Sequence, residues 1–325
     1  MMQKSNVFSE VFSLDNTDIH NNIRSGGHAV CTNQRIVIVR KPVRSVFSSL
    51  VIMGLFILLQ FAVSFPYFFV QIVNALAENN MDSALAYNSY VSNISGSGSG
   101  TLITVITTLV STIVAVLCYR FIFCKHYSTE NLKATCRRVF KPRIIIGLAA
   151  ATFAVFIISN FVASFTIALF PAKGNEYQEL MELGISDINT FPIFLSICIL
   201  APINEECIMR GMILTKLKKN MPAAAAIIIC AILFGIFHMN FIQSIYVLPA
   251  GALLAYVAWK YDSVIPSMLV HALYNGMNYI TEILPDALSG SPVFLIAVMV
   301  VCAAAWVFTE ARVKKDLPAD NRTAE

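Results

Sequence analysis

The chain has 325 residues, of which 57% are hydrophobic and only 13% charged, with a formal net charge of +4 and a mean hydropathy of +0.69. A soluble globular chain is nearer a quarter charged, so this composition reads as an integral membrane protein with little aqueous surface. The small positive charge gives no ground for a nucleic-acid partner, and the informative question is where the charges sit.

Residues 1–44 are polar and close on a basic cluster, Arg35, Arg40, Lys41 and Arg44. The segment is too long and polar for the n-region of a signal peptide. It contains Ile36-Val37-Ile38-Val39, which reads as a short strand or an interfacial piece. The first apolar run spans about 46–76, with a kink expected at Pro66 because proline removes a backbone donor. Residues 78–100 end in Ser95-Gly96-Ser97-Gly98-Ser99-Gly100 and read as a flexible linker. Further apolar runs cover 101–123, 144–170, 190–214, 223–241, 245–259, 264–280 and 293–308, and the tail to 325 is polar. A basic loop follows the second run and an acidic loop, with Glu176, Glu179, Glu182 and Asp187, follows the third.

With the N-terminus in the cytosol, Lys173 alone of 23 lysines and arginines falls in an outward loop, and Arg210 alone lies inside a span. This asymmetry predicts an all-α polytopic bundle of about eight transmembrane helices with both termini cytosolic. The expected organisation is a cytosolic segment 1–44, three membrane helices with their loops over 45–189, a catalytic membrane domain over 190–310 and a cytosolic tail 311–325. The eight cysteines form no C-x-x-C pair and read as free thiols.

The stretch that needs a reason is Asn204-Glu205-Glu206-Cys207-Ile208-Met209-Arg210. Each ionisable group at the bilayer centre costs about 2.5–3.5 kcal/mol on insertion scales. Glu206 and Arg210 are four apart, so they share a helix face and can pair, while Glu205 points about 100° away. A buried structural salt bridge would absorb all three; the functional reading has Arg210 hold Glu206 and leaves Glu205 as a base. His238, in Phe234-Gly235-Ile236-Phe237-His238, would alone read as a packing histidine. His271 and Asn275 share a face four residues apart, and Asn278 can extend it; this is also how polar side chains glue membrane helices.

Glu205 lies 11 residues before Lys216 and His271 lies 11 after Lys260, which puts both about 16 Å from their basic markers. His238, 19 residues after Lys219, fits that depth poorly. Together these groups predict a cytosol-facing intramembrane cavity. A carboxylate beside an imidazole can deprotonate a water. A second histidine and an amide can stabilise the oxyanion formed at a carbonyl. Two histidines and a glutamate can instead hold zinc, with Glu205, His238 and His271 as the ligands, although no H-E-x-x-H pair is present.

Glu205-Glu206-x-x-x-Arg210, Phe234-x-x-x-His238 and His271-x-x-x-Asn275, in that order over about 190–280, resemble the CPBP family, the CAAX proteases and bacteriocin-processing enzymes also called Abi. The resemblance implies an intramembrane endopeptidase. Glu205 would be the water-activating base with His238 as its partner. His271 and Asn275 would stabilise the oxyanion, and Glu206 and Arg210 would support the site. It implies a peptide or protein substrate at the bilayer, such as a prenylated CAAX tail or a leader peptide, with no required cofactor on the preferred reading and zinc as the alternative. A prokaryotic cell membrane is the expected location. The competing classes are a membrane immunity or scaffold protein and a proton-coupled transporter, which would use the same buried groups without hydrolysis.

Overall fold

A computed structural model describes residues 31–79, 81–96, 99–123, 136–137, 139–184, 190–283 and 291–315. The chain divides into two compact units, 1–47 and 48–325. The described part of the first is the opening of helix α1, and the account below concerns the second.

All the described secondary structure is helical. In chain order the helices are α1 Cys31–Glu78, α2 Ser83–Gly96, α3 Ser99–Cys118, α4 Pro142–Leu169, α5 Pro171–Gly184, α6 Phe191–Leu217, α7 Ala223–Phe237, α8 Phe241–Tyr246, α9 Leu248–Tyr261, α10 Val264–Ile283 and α11 Pro292–Lys315. A π-helical turn, Tyr119–Phe123, extends α3. Two more interrupt α6, at Ser196–Leu200 and Cys207–Leu214.

Five helical segments are long and apolar enough to cross a membrane: Pro42–Glu78, Gly100–Phe123, Pro142–Leu169, Phe191–Leu217 and Pro292–Thr309. The chain is an integral membrane protein. The expectation of about eight such helices is not met among the described residues, for a physical reason. The predicted run 223–241 is a 15-residue helix that stops at Phe237, and α9 has only 14 residues. These short helices lie against α6 and against each other. Neighbouring side chains replace lipid around them, which relaxes the length a spanning helix needs.

Three local expectations also change. Ile36 to Val39 belong to helix α1, since the helix penalty of β-branched residues is modest. α1 also runs through Pro66. The predicted linker is largely α2, whose first turn is capped by the Asp82 carboxylate accepting from the Leu85 N–H at 3.1 Å and whose Ala86 is buried. Only 97–98 of its Ser-Gly run lie outside the described residues. The acidic loop is the helix α5 as far as Gly184, with Lys173 paired to Glu176 on its surface, and Asp187 lies outside the described residues. The segment 1–30 and the tail 316–325 lie outside the described residues.

Burial separates the helices. Half of the apolar window of α4 and 44% of that of α6 are buried, against 17% for α1 and α3 and none for α11. α6 is surrounded by α3, α7, α9 and α10, and α4 backs α8, α9, α10 and α11. Every residue from Cys207 to Leu214 is buried. The helix that carries the charged stretch is therefore the axis of the packing.

Candidate active site

The site begins with the shape of α6. A π turn widens the helix and leaves carbonyls out of the regular ladder, and each freed carbonyl in a dry interior needs a donor. Side chains supply them here. The Asn275 amide donates to Ile197 O at 2.8 Å and the Thr112 hydroxyl to Leu200 O at 3.1 Å, both in the first π turn. In the second, Thr215 Oγ1 donates to Arg210 O at 3.2 Å. Glu205 and Glu206 sit on the stretch between the two turns, and α3 and α10 are tied to α6 in the turn just before the carboxylates.

Glu206 and Arg210 pair as the four-residue spacing predicts, with Nη1 to Oε1 at 2.6 Å and both side chains fully buried. The arginine also donates from Nη2 to Gly251 O at 3.0 Å and lies 4.6 Å over the ring of Phe234. Gly251 matters because a Cβ there would stand 3.0 Å from Phe234 Cδ1 and 3.2 Å from Ala231 Cα. Its absence lets α9 come close enough to offer a carbonyl to the guanidinium. His271, 4% exposed, joins the same cluster through Nδ1, 2.9 Å from Glu206 Oε1. The carboxylate held by Arg210 accepts, so Nδ1 carries the proton and Nε2 is turned outward from the pair. That Nε2 lies 3.7 Å from Glu205 Oε2, beyond hydrogen-bond reach.

Glu205 has a different environment. Its side chain is 17% exposed where that of Glu206 is 0%, and it lines a cavity of about 340 Å³. His238 lines the same cavity. It follows the last turn of α7, with its backbone N–H bonded to Gly235 O and its ring Nδ1 2.8 Å from Phe234 O. A carbonyl only accepts, so Nδ1 is the protonated nitrogen and the Nε2 lone pair is left for the cavity. The helix ends here for readable reasons. Met239 takes a left-handed φ of 51° and the Asn240 side chain caps α8 by accepting from the Gln243 N–H. Ser244 Oγ then donates back to Gly235 O at 2.8 Å, fixing α8 against the turn that carries the histidine.

Phe234 connects the two parts. Its ring meets His238 edge-on at 4.8 Å and His271 at 5.7 Å, and it lies under Arg210. The structure thus brings Glu205 and His238 to one cavity and buries Glu206, Arg210 and His271 together behind it. Asn275 is engaged by the first π turn, and neither it nor His271 is among the cavity-lining residues. Asn278 is exposed and bonds within its own helix, to Asn275 O.

The far wall of the cavity comes from residues the sequence reading passed over. Gln60 and Ser64 of α1 and Thr104, Thr107 and Thr108 of α3 line it, together with Asn204 of α6. Asn204 is 3% exposed and its Oδ1 accepts from Ser111 Oγ at 3.2 Å. The available signal was periodic: Thr104, Thr107, Thr108, Ser111 and Thr112 recur at helical spacing inside an otherwise apolar run.

The zinc alternative has a geometric test. Among the described residues no three His, Cys, Asp or Glu side chains are grouped to hold a metal ion. Nδ1 of His271 is engaged by Glu206 and Nδ1 of His238 by a carbonyl, which leaves each Nε2 free but does not bring the two to one point with Glu205. Glu205, His238 and His271 do not fit a metal as a ready set. The described cysteines Cys118, Cys136, Cys198, Cys207, Cys230 and Cys302 are free thiols.

In this all-helical membrane bundle a carboxylate and an imidazole share one cavity. Residues 187–277 match the family model described as type II CAAX prenyl endopeptidase Rce1-like. This segment, which holds all six candidate site residues, is similar to the CPBP/CAAX protease family, and the match supports an intramembrane protease of the CAAX prenyl endopeptidase type. No curated protein and no solved structure matches the chain.

Proposed function

We propose that the chain is an endopeptidase of the cell membrane that hydrolyses a peptide bond with a water activated by Glu205 and His238. The observation that carries this is the division of the two adjacent carboxylates. Glu206 is committed to Arg210 and His271, and Glu205 is left facing a cavity that it shares with the His238 imidazole. A base must be within reach of the water whose proton it takes, and Glu205 has the access that Glu206 lacks.

His238 Nε2, an acceptor by the tautomer argued above, orients the water against Glu205. Glu206 and Arg210 hold α6 to α9 and fix the direction of Glu205 by occupying the opposite face. His271 bridges the buried cluster and the cavity carboxylate. The oxygens of Thr104, Thr108 and Ser64 line the wall opposite. Their hydrogens are spent on carbonyls of their own helices, so they present acceptors suited to the N–H groups of an extended peptide.

The substrate class we favour is a prenylated CAAX-type tail, with a leader peptide as the next candidate. Both would reach the cavity from the cytosolic side of a prokaryotic membrane, with the termini of the chain in the cytosol. The catalytic unit would be 190–310, completed by α3 and α1 as the cavity wall. The reaction runs without a metal on this reading.

The test is cleavage of a farnesylated tetrapeptide-tail substrate by purified protein, with and without a chelator, beside a metal analysis. Expected are a released tripeptide, turnover unaffected by the chelator, and loss of turnover in Glu205→Gln. Chelator-sensitive turnover with stoichiometric zinc would overturn the metal-free step. Retained turnover in Glu205→Gln would remove Glu205 as the base.

A further inference from the structure

Hydrolysis of a carbonyl needs a hydrogen-bond donor where the oxygen becomes negative, and this cavity is rich in acceptors. Glu205 and His238 Nε2 accept. The hydroxyl hydrogens of Thr104 and Thr108 go to Gly100 O at 2.9 Å and Thr104 O at 2.8 Å. Asn275 donates its amide to Ile197 O. On the far wall the Gln60 amide and the unpartnered Thr107 hydroxyl are donors, and Asn204 is the donor on the helix that carries Glu205. It lines the cavity one residue before Glu205 and is 3% exposed. Its Oδ1 is held by the Ser111 hydroxyl, which in turn lies 3.5 Å from Gln60 Nε2. An amide held at its oxygen from the α3 side turns its two N–H donors the other way. Those donors have no protein partner among the described residues, although the side chain is almost wholly buried.

We propose that Asn204 is a further catalytic residue, donating from Nδ2 to the scissile carbonyl oxygen as it becomes an oxyanion, and that Ser111 is its positioning residue. This rests on the endopeptidase reading. The water oxygen bonds to the carbonyl carbon while Glu205 takes a water proton, and the C=O π pair moves onto the oxygen held by Asn204. Collapse re-forms C=O, breaks the C–N bond, and delivers the proton on Glu205 to the leaving nitrogen. One water is consumed and no other reactant is needed.

The experiment compares wild type, Asn204→Leu and Ser111→Ala on the farnesylated tail peptide, with rates expressed per folded molecule. Asn204→Leu keeps the volume and removes the donor; kcat is expected to fall by about 10²–10³-fold, the loss typical of an oxyanion donor, with KM nearly unchanged. Ser111→Ala frees the amide to rotate and is expected to lower kcat by about tenfold. If the leucine variant does not fold, Asn204→Ser restores a hydroxyl donor and should fall between the two. A second readout separates contact from structural support: a farnesylated peptide phosphonate, which carries a tetrahedral anion, should lose affinity in Asn204→Leu far more than the uncleaved peptide does. Equal losses for both ligands, or a kcat per folded molecule like that of wild type, would overturn the proposal while leaving the endopeptidase reading intact. A wild-type protein that releases no product would instead remove the endopeptidase reading and this inference with it.

Discussion

Glu205 and Glu206 are chain neighbours with opposite surroundings. On one side of α6, Glu206 is enclosed with Arg210, His271 and the carbonyl of Gly251, and none of these lines the cavity. On the other, Glu205 meets His238, Asn204 and a wall of threonines across open volume. The difference teaches how a membrane protein can carry two carboxylates in one turn. One is neutralised by a partner and serves to hold helices together, and the other is available because the first has taken the fixed cation. The π turn before the pair is tied to α10 and α3 by Asn275 and Thr112. The same helix therefore supports both environments without exposing its backbone.

This comparison can be broken from the buried side first. Arg210→Ala strands Glu206 in a dry interior and should cost about 3–5 kcal/mol, seen as a loss of folded protein in detergent or a sharply lowered thermal midpoint. Replacing both partners, Glu206→Leu with Arg210→Met, removes the stranded charge and should recover most of that loss. A double variant as unstable as Arg210→Ala would contradict the pairing. Gly251→Ala should cost about 1–3 kcal/mol by overpacking, because Phe234 and the α7 backbone stand in the way of the added methyl. Its midpoint should fall, and turnover should fall with it, since Phe234 also touches both histidines. Thr112→Val leaves the Leu200 carbonyl with one donor fewer and should cost about 1 kcal/mol in the same thermal measurement. From the cavity side, Thr104→Val with Thr108→Val should leave the midpoint nearly unchanged. Loss of their acceptors should raise KM for the peptide about two- to tenfold.

Much of this division was legible in the sequence. The four-residue spacing of Glu206 and Arg210 foretold their pair, and the position of Glu205 on another face foretold its separate surroundings. The helical nature of the bundle was plain from the apolar runs. Other features were not legible, for identifiable reasons. The π turns have no residue signature, because any apolar sequence can widen by one residue where side chains satisfy the freed carbonyls. Without them, nothing marks Asn275 as the partner of Ile197 O. The run 223–241 was read through His238, and its depth then fitted poorly. Asn240 followed by Gln243 was the capping signal that ends α7 at the histidine and lets it line the Glu205 cavity. The threonines of α3 were overlooked because uncharged polar residues scarcely lower an apolar window. Asn204 was overshadowed by the charged residues after it, and its orientation depends on Ser111, 93 positions away.

The most direct measurement places the two glutamates side by side. Glu205→Gln and Glu206→Gln would be compared for turnover of the farnesylated tail peptide per folded molecule and for thermal midpoint in the same detergent. The account predicts that Glu205→Gln keeps the wild-type midpoint and loses turnover by at least about 10²–10⁴-fold, the range supplied by a general base. It predicts that Glu206→Gln lowers the midpoint and that the molecules still folded retain measurable turnover. Full turnover in Glu205→Gln, with turnover abolished in folded Glu206→Gln, would contradict it.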